Sequence, residues 1–133
     1  KEEGVIRVET SQRSSSESLK TDVGNMVKAV FELSGAEVEV RDGYPGWSPN
    51  TDSPILKVTV DAYKKLFGKE PAVKAIHAGL ECGLFLSKYP YLDMVSFGPT
   101  LRDVHSPVEK MEIATVDLFW RHLVEVLKNI PEA

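Results

Sequence analysis

The sequence predicts an α/β fold in two segments, strand–helix–strand followed by helix–strand–helix–strand–helix. Three observations carry this. Short stretches of alternating apolar and polar residues flank a longer stretch with helical apolar spacing. Breaker residues crowd positions 43–50. Beyond them, short apolar runs alternate with further helical periods.

In the first segment, Ile6, Val8 and Thr10 alternate against Val5, Arg7 and Glu9, which predicts a strand over residues 4–12. Ser14, Ser15 and Ser16 then offer N-caps. Leu19, Val23, Val27, Val30 and Phe31 recur at helical spacing until Gly35, so a helix is expected over 17–34. Ala36, Val38 and Val40 alternate with Glu37, Glu39 and Arg41, a second strand with one wet face. Gly43-Tyr44-Pro45-Gly46-Trp47-Ser48-Pro49-Asn50 ends regular structure and marks a segment boundary.

The second segment opens on Ser53-Pro54, the cap and first-turn chemistry of a helix whose stripe is Ile55, Leu56, Val60, Tyr63 and Phe67, with Gly68 as its stop. Pro71 introduces a strand over 72–76. A short helical stretch around 84–87 is closed by Pro90, and 92–97 completes a βαβ candidate. Parallel strands would place residues 77–81 and Gly98-Pro99 at one end of a sheet, where open α/β sheets hold their sites. A last helix over 115–128 is expected to bury Val116, Phe119, Trp120, Leu123 and Leu127. No internal repeat is present, and only the serine cluster is compositionally biased.

With 133 residues, 42% of them hydrophobic, the chain can bury one modest core. Charged residues form 27% of the chain, the net charge is −4 and no block of Lys or Arg occurs, so nucleic acid is not an expected partner. No apolar run approaches the roughly 20 residues that cross a bilayer, and no signal-peptide pattern opens the chain, so no membrane partner is expected. The single cysteine, Cys82, excludes an internal disulfide and favours a reducing cytoplasm. Lys1-Glu2-Glu3-Gly4 lacks an initiator, and the first methionine is Met26, as expected of an excised piece or a processed start.

Few residues offer chemistry. His105 lies in a long connection between an apolar run and an amphipathic helix, where an exposed loop histidine and a site residue are equally good readings. One histidine cannot hold zinc, because a catalytic site needs about three protein ligands and an open position. His77 to Gly83 follows a strand and enters a helix; backbone amides there could line a ligand pocket, or His77 and Glu81 could be a structural histidine and a helix-start carboxylate. Arg13 could clasp a carboxylate through two hydrogen bonds, or be a solvated edge charge. Tyr44, Pro45 and Trp47 fit a recognition surface or the packing of a boundary turn. Cys82 reads as a small buried hydrophobe before a nucleophile assisted by His77 or His105.

The ordered set Ala75-Ile76-His77-Ala78-Gly79-Leu80-Glu81-Cys82-Gly83, Ser96-Phe97-Gly98-Pro99-Thr100 and His105-Ser106-Pro107 resembles the aminoacyl-histidine dipeptidase (peptidase D) family of di-zinc metallopeptidases. Thr10-Ser11-Gln12-Arg13-Ser14-Ser15, Gly35-Ala36-Glu37-Val38 and Tyr44-Pro45-Gly46-Trp47 through Asp52-Ser53-Pro54 are similar to it in the same order. The resemblance covers nearly the whole chain.

It implies a C-terminal piece of a longer enzyme: residues 1–46 the end of a lid domain that mediates homodimerisation, and 47–133 the closing part of the catalytic domain. It further implies His105 as ligand to one of two divalent ions, zinc or another metal. Arg13 would bind the substrate's terminal carboxylate, and His77, Gly79 and Glu81 would lie in a substrate-lining loop. The bridging aspartate, the glutamate base and the remaining ligands would come from upstream in the parent chain. The implied reaction is hydrolysis of unblocked dipeptides by metal-activated water, in the cytoplasm, and the piece alone is expected to be inactive. A non-catalytic binding or dimerisation module on the same scaffold is the alternative. Relatives read His-Ser-Pro-Asp-Glu where this chain has Val108 before Glu109, and Asp103-Val104 precedes the histidine, which puts the loop's supporting hydrogen bonds in question.

Overall fold

The structure, a computed structural model, describes residues 4–41, 43–48, 50–75 and 80–131. Its elements are α1 (Glu17–Leu33), α2 (Pro54–Phe67), α3 (Glu81–Lys88), β1 (Leu101–Arg102), β2 (Lys110–Met111) and α4 (Ala114–Lys128). They pack as two compact units, Lys1–Pro49 with Ala75–Pro90, and Asn50–Lys74 with Tyr91–Ala133.

The ends of α1 and α2 follow the sequence closely, because each has a local chemical cause. At the start of α1 the Ser16 hydroxyl accepts from the Leu19 amide. At its end, Gly35 takes φ 84°, and the amides of Gly35 and Ala36 donate to the carbonyls of Glu32 and Phe31. That pair of bonds is a Schellman closure. For α2, Ser53 caps the Leu56 amide at 3.1 Å with Pro54 at the first helical position, and left-handed Gly68 donates to Lys64 O at 2.8 Å. A cap the sequence did not reveal joins it: the Asp93 carboxylate accepts from the Ile55 amide at 2.8 Å, a negative charge at a helix N-terminus.

The strands are where the structure departs from expectation. Among the described residues, the stretches 6–12, 36–41, 72–75 and 92–97 carry no ladder, and Val5 forms only an isolated bridge. Alternation marks a surface that could pair, but a strand exists only when its amides and carbonyls find a second strand. The parallel βαβ arrangement expected over 72–97 is therefore not seen. The sheet among the described residues is instead an antiparallel two-stranded one, with Leu101 opposite Met111 and Arg102 opposite Lys110.

The second unit's core is the contact between α2 and α4. Ala62 of α2 and Val126 of α4 are buried, and between them lies His122, 7% exposed, its Nε2 donating to Thr59 O at 2.8 Å. A carbonyl only accepts, so the proton sits on Nε2. Rings close around the imidazole: Phe97 at 4.8 Å, Tyr63 at 5.3 Å and Phe67 at 6.4 Å between centroids. This corrects the expected face of α4. Trp120 and Leu127 are each 60% exposed, because the buried line runs through Phe119, His122 and Val126. At about 100° per residue, Trp120 and Leu127 stand roughly a third of a turn away from it.

In the first unit α1 buries no residue fully, although Val27 and Phe31 are half-buried on one side. Leu19, Val23, Met26, Val30 and Leu33 stand exposed at alternating spacings of four and three, an apolar stripe along the helix.

Candidate functional site

His105 is placed by a tight hairpin. β1 and β2 pair across it, the Glu112 amide donates to Thr100 O at 2.9 Å, and the Thr100 amide donates to Thr115 Oγ1 at 2.9 Å, which ties the hairpin's base to the start of α4. Phe97, three residues before Thr100, packs on Phe119 and His122, so the hairpin stands on the core of its own unit.

Within the hairpin the backbone is strained. Asp103 and His105 take φ 52° and 64°, left-handed conformations that cost a residue with a side chain about 1 kcal/mol or more. Short bonds hold them there. The His105 amide donates to Glu109 Oε2 at 2.7 Å, the Ser106 hydroxyl donates to Asp103 O at 2.7 Å, and the Glu109 amide donates to Ser106 O at 3.1 Å. The imidazole itself is exposed and has no partner among the described residues. Ser106 and Glu109 thus support the loop backbone and leave the imidazole itself without a bond among the described residues.

No group of three His, Cys, Asp or Glu side chains that could hold a metal ion converges among the described residues. His105 alone makes no metal site, since a catalytic zinc needs about three protein ligands.

Arg13 is exposed in the loop before α1, and its guanidinium also has no partner among the described residues. The loop behind it is well tied. Ser14 Oγ accepts from the Ser16 amide at 3.1 Å, and Ser15 O accepts from the Ser48 hydroxyl at 2.9 Å. Glu17 Oε2 accepts from the Gly46 amide at 2.9 Å, while Lys20 donates to Tyr44 O at 2.8 Å and pairs with Glu17. The Lys20 ammonium, and then the Gly46 amide, hold the Glu17 carboxyl below its ordinary range. Sequence reasoning missed this clamp, because side-chain bonds to a distant backbone leave no period.

Of the substrate-loop residues, His77 and Gly79 lie outside the described residues. Glu81 is the first residue of α3, exposed, where the helix dipole favours a carboxylate. Next to it, burial pushes the Cys82 thiol up, and the Glu81 charge adds to this. A thiol kept protonated is a poor nucleophile, which counts against cysteine chemistry.

Residues 3–129 match the family described as peptidase family M20/M25/M40, and the chain belongs to that family. The particular proteins it is similar to are dipeptidases. It is 45% identical over 119 residues to the cytosol non-specific dipeptidase of Escherichia coli (strain K12), a match covering 90% of this chain and 24% of that protein. The crystal structure of aminoacylhistidine dipeptidase from Vibrio alginolyticus matches with a TM-score of 0.72 and 48% identity, over 90% of this chain and 24% of that one. The chain thus spans about a quarter of the length of these relatives. The described residues include no helix long and apolar enough to cross a membrane.

Proposed function

We propose that the chain is the closing part of a cytoplasmic, metal-dependent dipeptidase that hydrolyses unblocked dipeptides of the aminoacyl-histidine type. The observation that carries this is the His105 hairpin, where two left-handed residues and the Glu109 carboxylate fix an exposed imidazole with no protein partner among the described residues. Strain of this kind is retained where the surrounding structure over-determines it, and functional sites are where it concentrates.

In this reading His105 donates one imidazole nitrogen to one of two divalent ions, zinc by preference. The other ligands, the bridging aspartate and the glutamate base come from the remainder of the parent chain. The metal, when bound, supplies a water acidic enough to yield hydroxide near neutral pH. This chain's own residues hold and orient: Arg13 receives the dipeptide's terminal carboxylate through a two-bonded guanidinium contact, and His77, Gly79 and Glu81 line the substrate. Residues 1–46 complete a lid domain and 47–133 the catalytic domain. The exposed stripe of α1 supports a homodimer formed through the lid, since a repeat of four and three is the spacing that lets two helices bury a seam.

The same stripe favours the second reading, a dimerisation module without catalysis. Hydrolysis of an aminoacyl-histidine dipeptide separates them. The parent protein is expected to cleave it and the 133-residue chain alone is expected not to. A parent protein inert toward dipeptides with every divalent metal supplied would leave only the module.

A further inference from the structure

We propose that Glu17 is a positioning residue for Arg13: its carboxylate locks the arginine-bearing loop to the turn at 44–48, and this lock sets how well the guanidinium meets a substrate carboxylate. The inference rests on the reading of Arg13 as the carboxylate receptor.

Five contacts define the lock, all within the first unit. Glu17 takes the Gly46 amide with one oxygen and Lys20 with the other. Lys20 reaches on to the Tyr44 carbonyl, so carboxylate and ammonium grip the turn at two consecutive peptide groups. Ser48 donates to Ser15 O, two residues from Arg13. Finally, the Gly46 Cα lies directly against the Ser15 carbonyl: a Cβ added there would stand 2.6 Å from Ser15 O. The turn is itself backed by α3, where a Cβ on Gly83 would stand 2.8 Å from Pro45 O.

The geometry leaves Arg13 exposed, with its charge and no protein partner among the described residues, while the backbone behind it is pinned. A guanidinium meets a carboxylate through two parallel bonds, an arrangement sensitive to small displacements of its backbone. Removing the Glu17 charge releases Lys20 and turns the charge-assisted bond from the Gly46 amide into a weaker neutral one, which loosens the turn that rests on the Ser15 carbonyl. The lowered pKa of Glu17 agrees with a carboxylate stabilised in its charged form by these partners.

The experiment is a comparison of KM and kcat in the full-length peptidase carrying this segment, for a free dipeptide and for the same dipeptide with its carboxyl converted to an amide. Arg13→Ala, Glu17→Gln, the double variant and Gly46→Ala are assayed, with thermal melts to check folding. Arg13→Ala and Glu17→Gln should each raise KM for the free dipeptide about tenfold and leave that for the amide unchanged. The double variant should be no worse than Arg13→Ala, and Gly46→Ala, which crowds Ser15 from the other side, should repeat the pattern. If Arg13→Ala leaves the preference for the free dipeptide intact, the carboxylate reading falls and the inference with it. If Arg13→Ala abolishes that preference while Glu17→Gln keeps it, or if Glu17→Gln weakens both substrates equally, the carboxylate reading stands and the positioning role is overturned.

Discussion

The loops that carry Arg13 and His105 are held by opposite means. His105 is fixed from within: every bond that holds its hairpin joins residues between Thr100 and Thr115, and the backbone is bent into left-handed conformations to do it. Arg13 is fixed from without, by side chains of α1 that reach a turn 29 residues away. A strained, self-contained loop delivers one atom to one place, as a metal ligand requires. A loop hung on a distant turn holds its place only as well as that turn does.

The sharpest way to break this contrast is at His105 itself. Replacing it by alanine in the full-length enzyme should lower kcat/KM by well over about a hundredfold, since even groups that merely orient a metal ligand are worth about ten- to a hundredfold. Glu109→Ala tests the internal support; loss of the acceptor for the His105 amide should weaken metal affinity by about ten- to a hundredfold, read by competition with a chelator. Next in size is the platform beneath the hairpin. His122→Ala removes a buried ring and its bond to Thr59 and should cost about 2–4 kcal/mol in denaturant unfolding, whereas His122→Phe, which keeps the ring stack, should cost about 1–2 kcal/mol.

The outside clamp predicts a smaller, pH-dependent effect. Glu17 has a lowered pKa in the folded chain, so its contribution is complete above the ordinary carboxylate range and is lost as pH falls through the lowered value. Exchange protection of the Gly46 amide, corrected for intrinsic rates, should fall over that acidic window, and in Glu17→Gln, whose neutral amide oxygen is a weaker acceptor, it should be reduced at neutral pH and lose this pH dependence. The smallest effect is expected at Cys82, where serine should leave dipeptide hydrolysis unchanged and iodoacetamide labelling should be slow at neutral pH.

The contrast also explains what the sequence could and could not say. Helix ends were legible because each is written in one or two adjacent residues: Ser16 and Gly35 for α1, Ser53, Pro54 and Gly68 for α2. The hairpin around His105 was not, since two-residue strands are too short to show a period. His122 was overlooked because the face of α4 was drawn through apolar residue types, whereas the packed line includes an imidazole satisfied by a backbone carbonyl. Among the described residues the expected strands carry no ladder for a different reason, as alternation describes one strand and pairing needs two. Arg13 and His105 were singled out by residue type and motif, but what holds them, Glu17 through Lys20 in one loop and Glu109 with Ser106 in the other, became visible only with distances.

In the proposed function this chain supplies one ligand to a metal site completed elsewhere in the parent enzyme. Metal content after exhaustive dialysis against zinc-containing buffer tests it most directly. The full-length protein should retain two ions per chain, its His105→Ala variant should retain fewer, and the 133-residue chain alone should retain none. Undiminished metal in the His105→Ala variant, or stoichiometric tight zinc in the isolated chain, would contradict it.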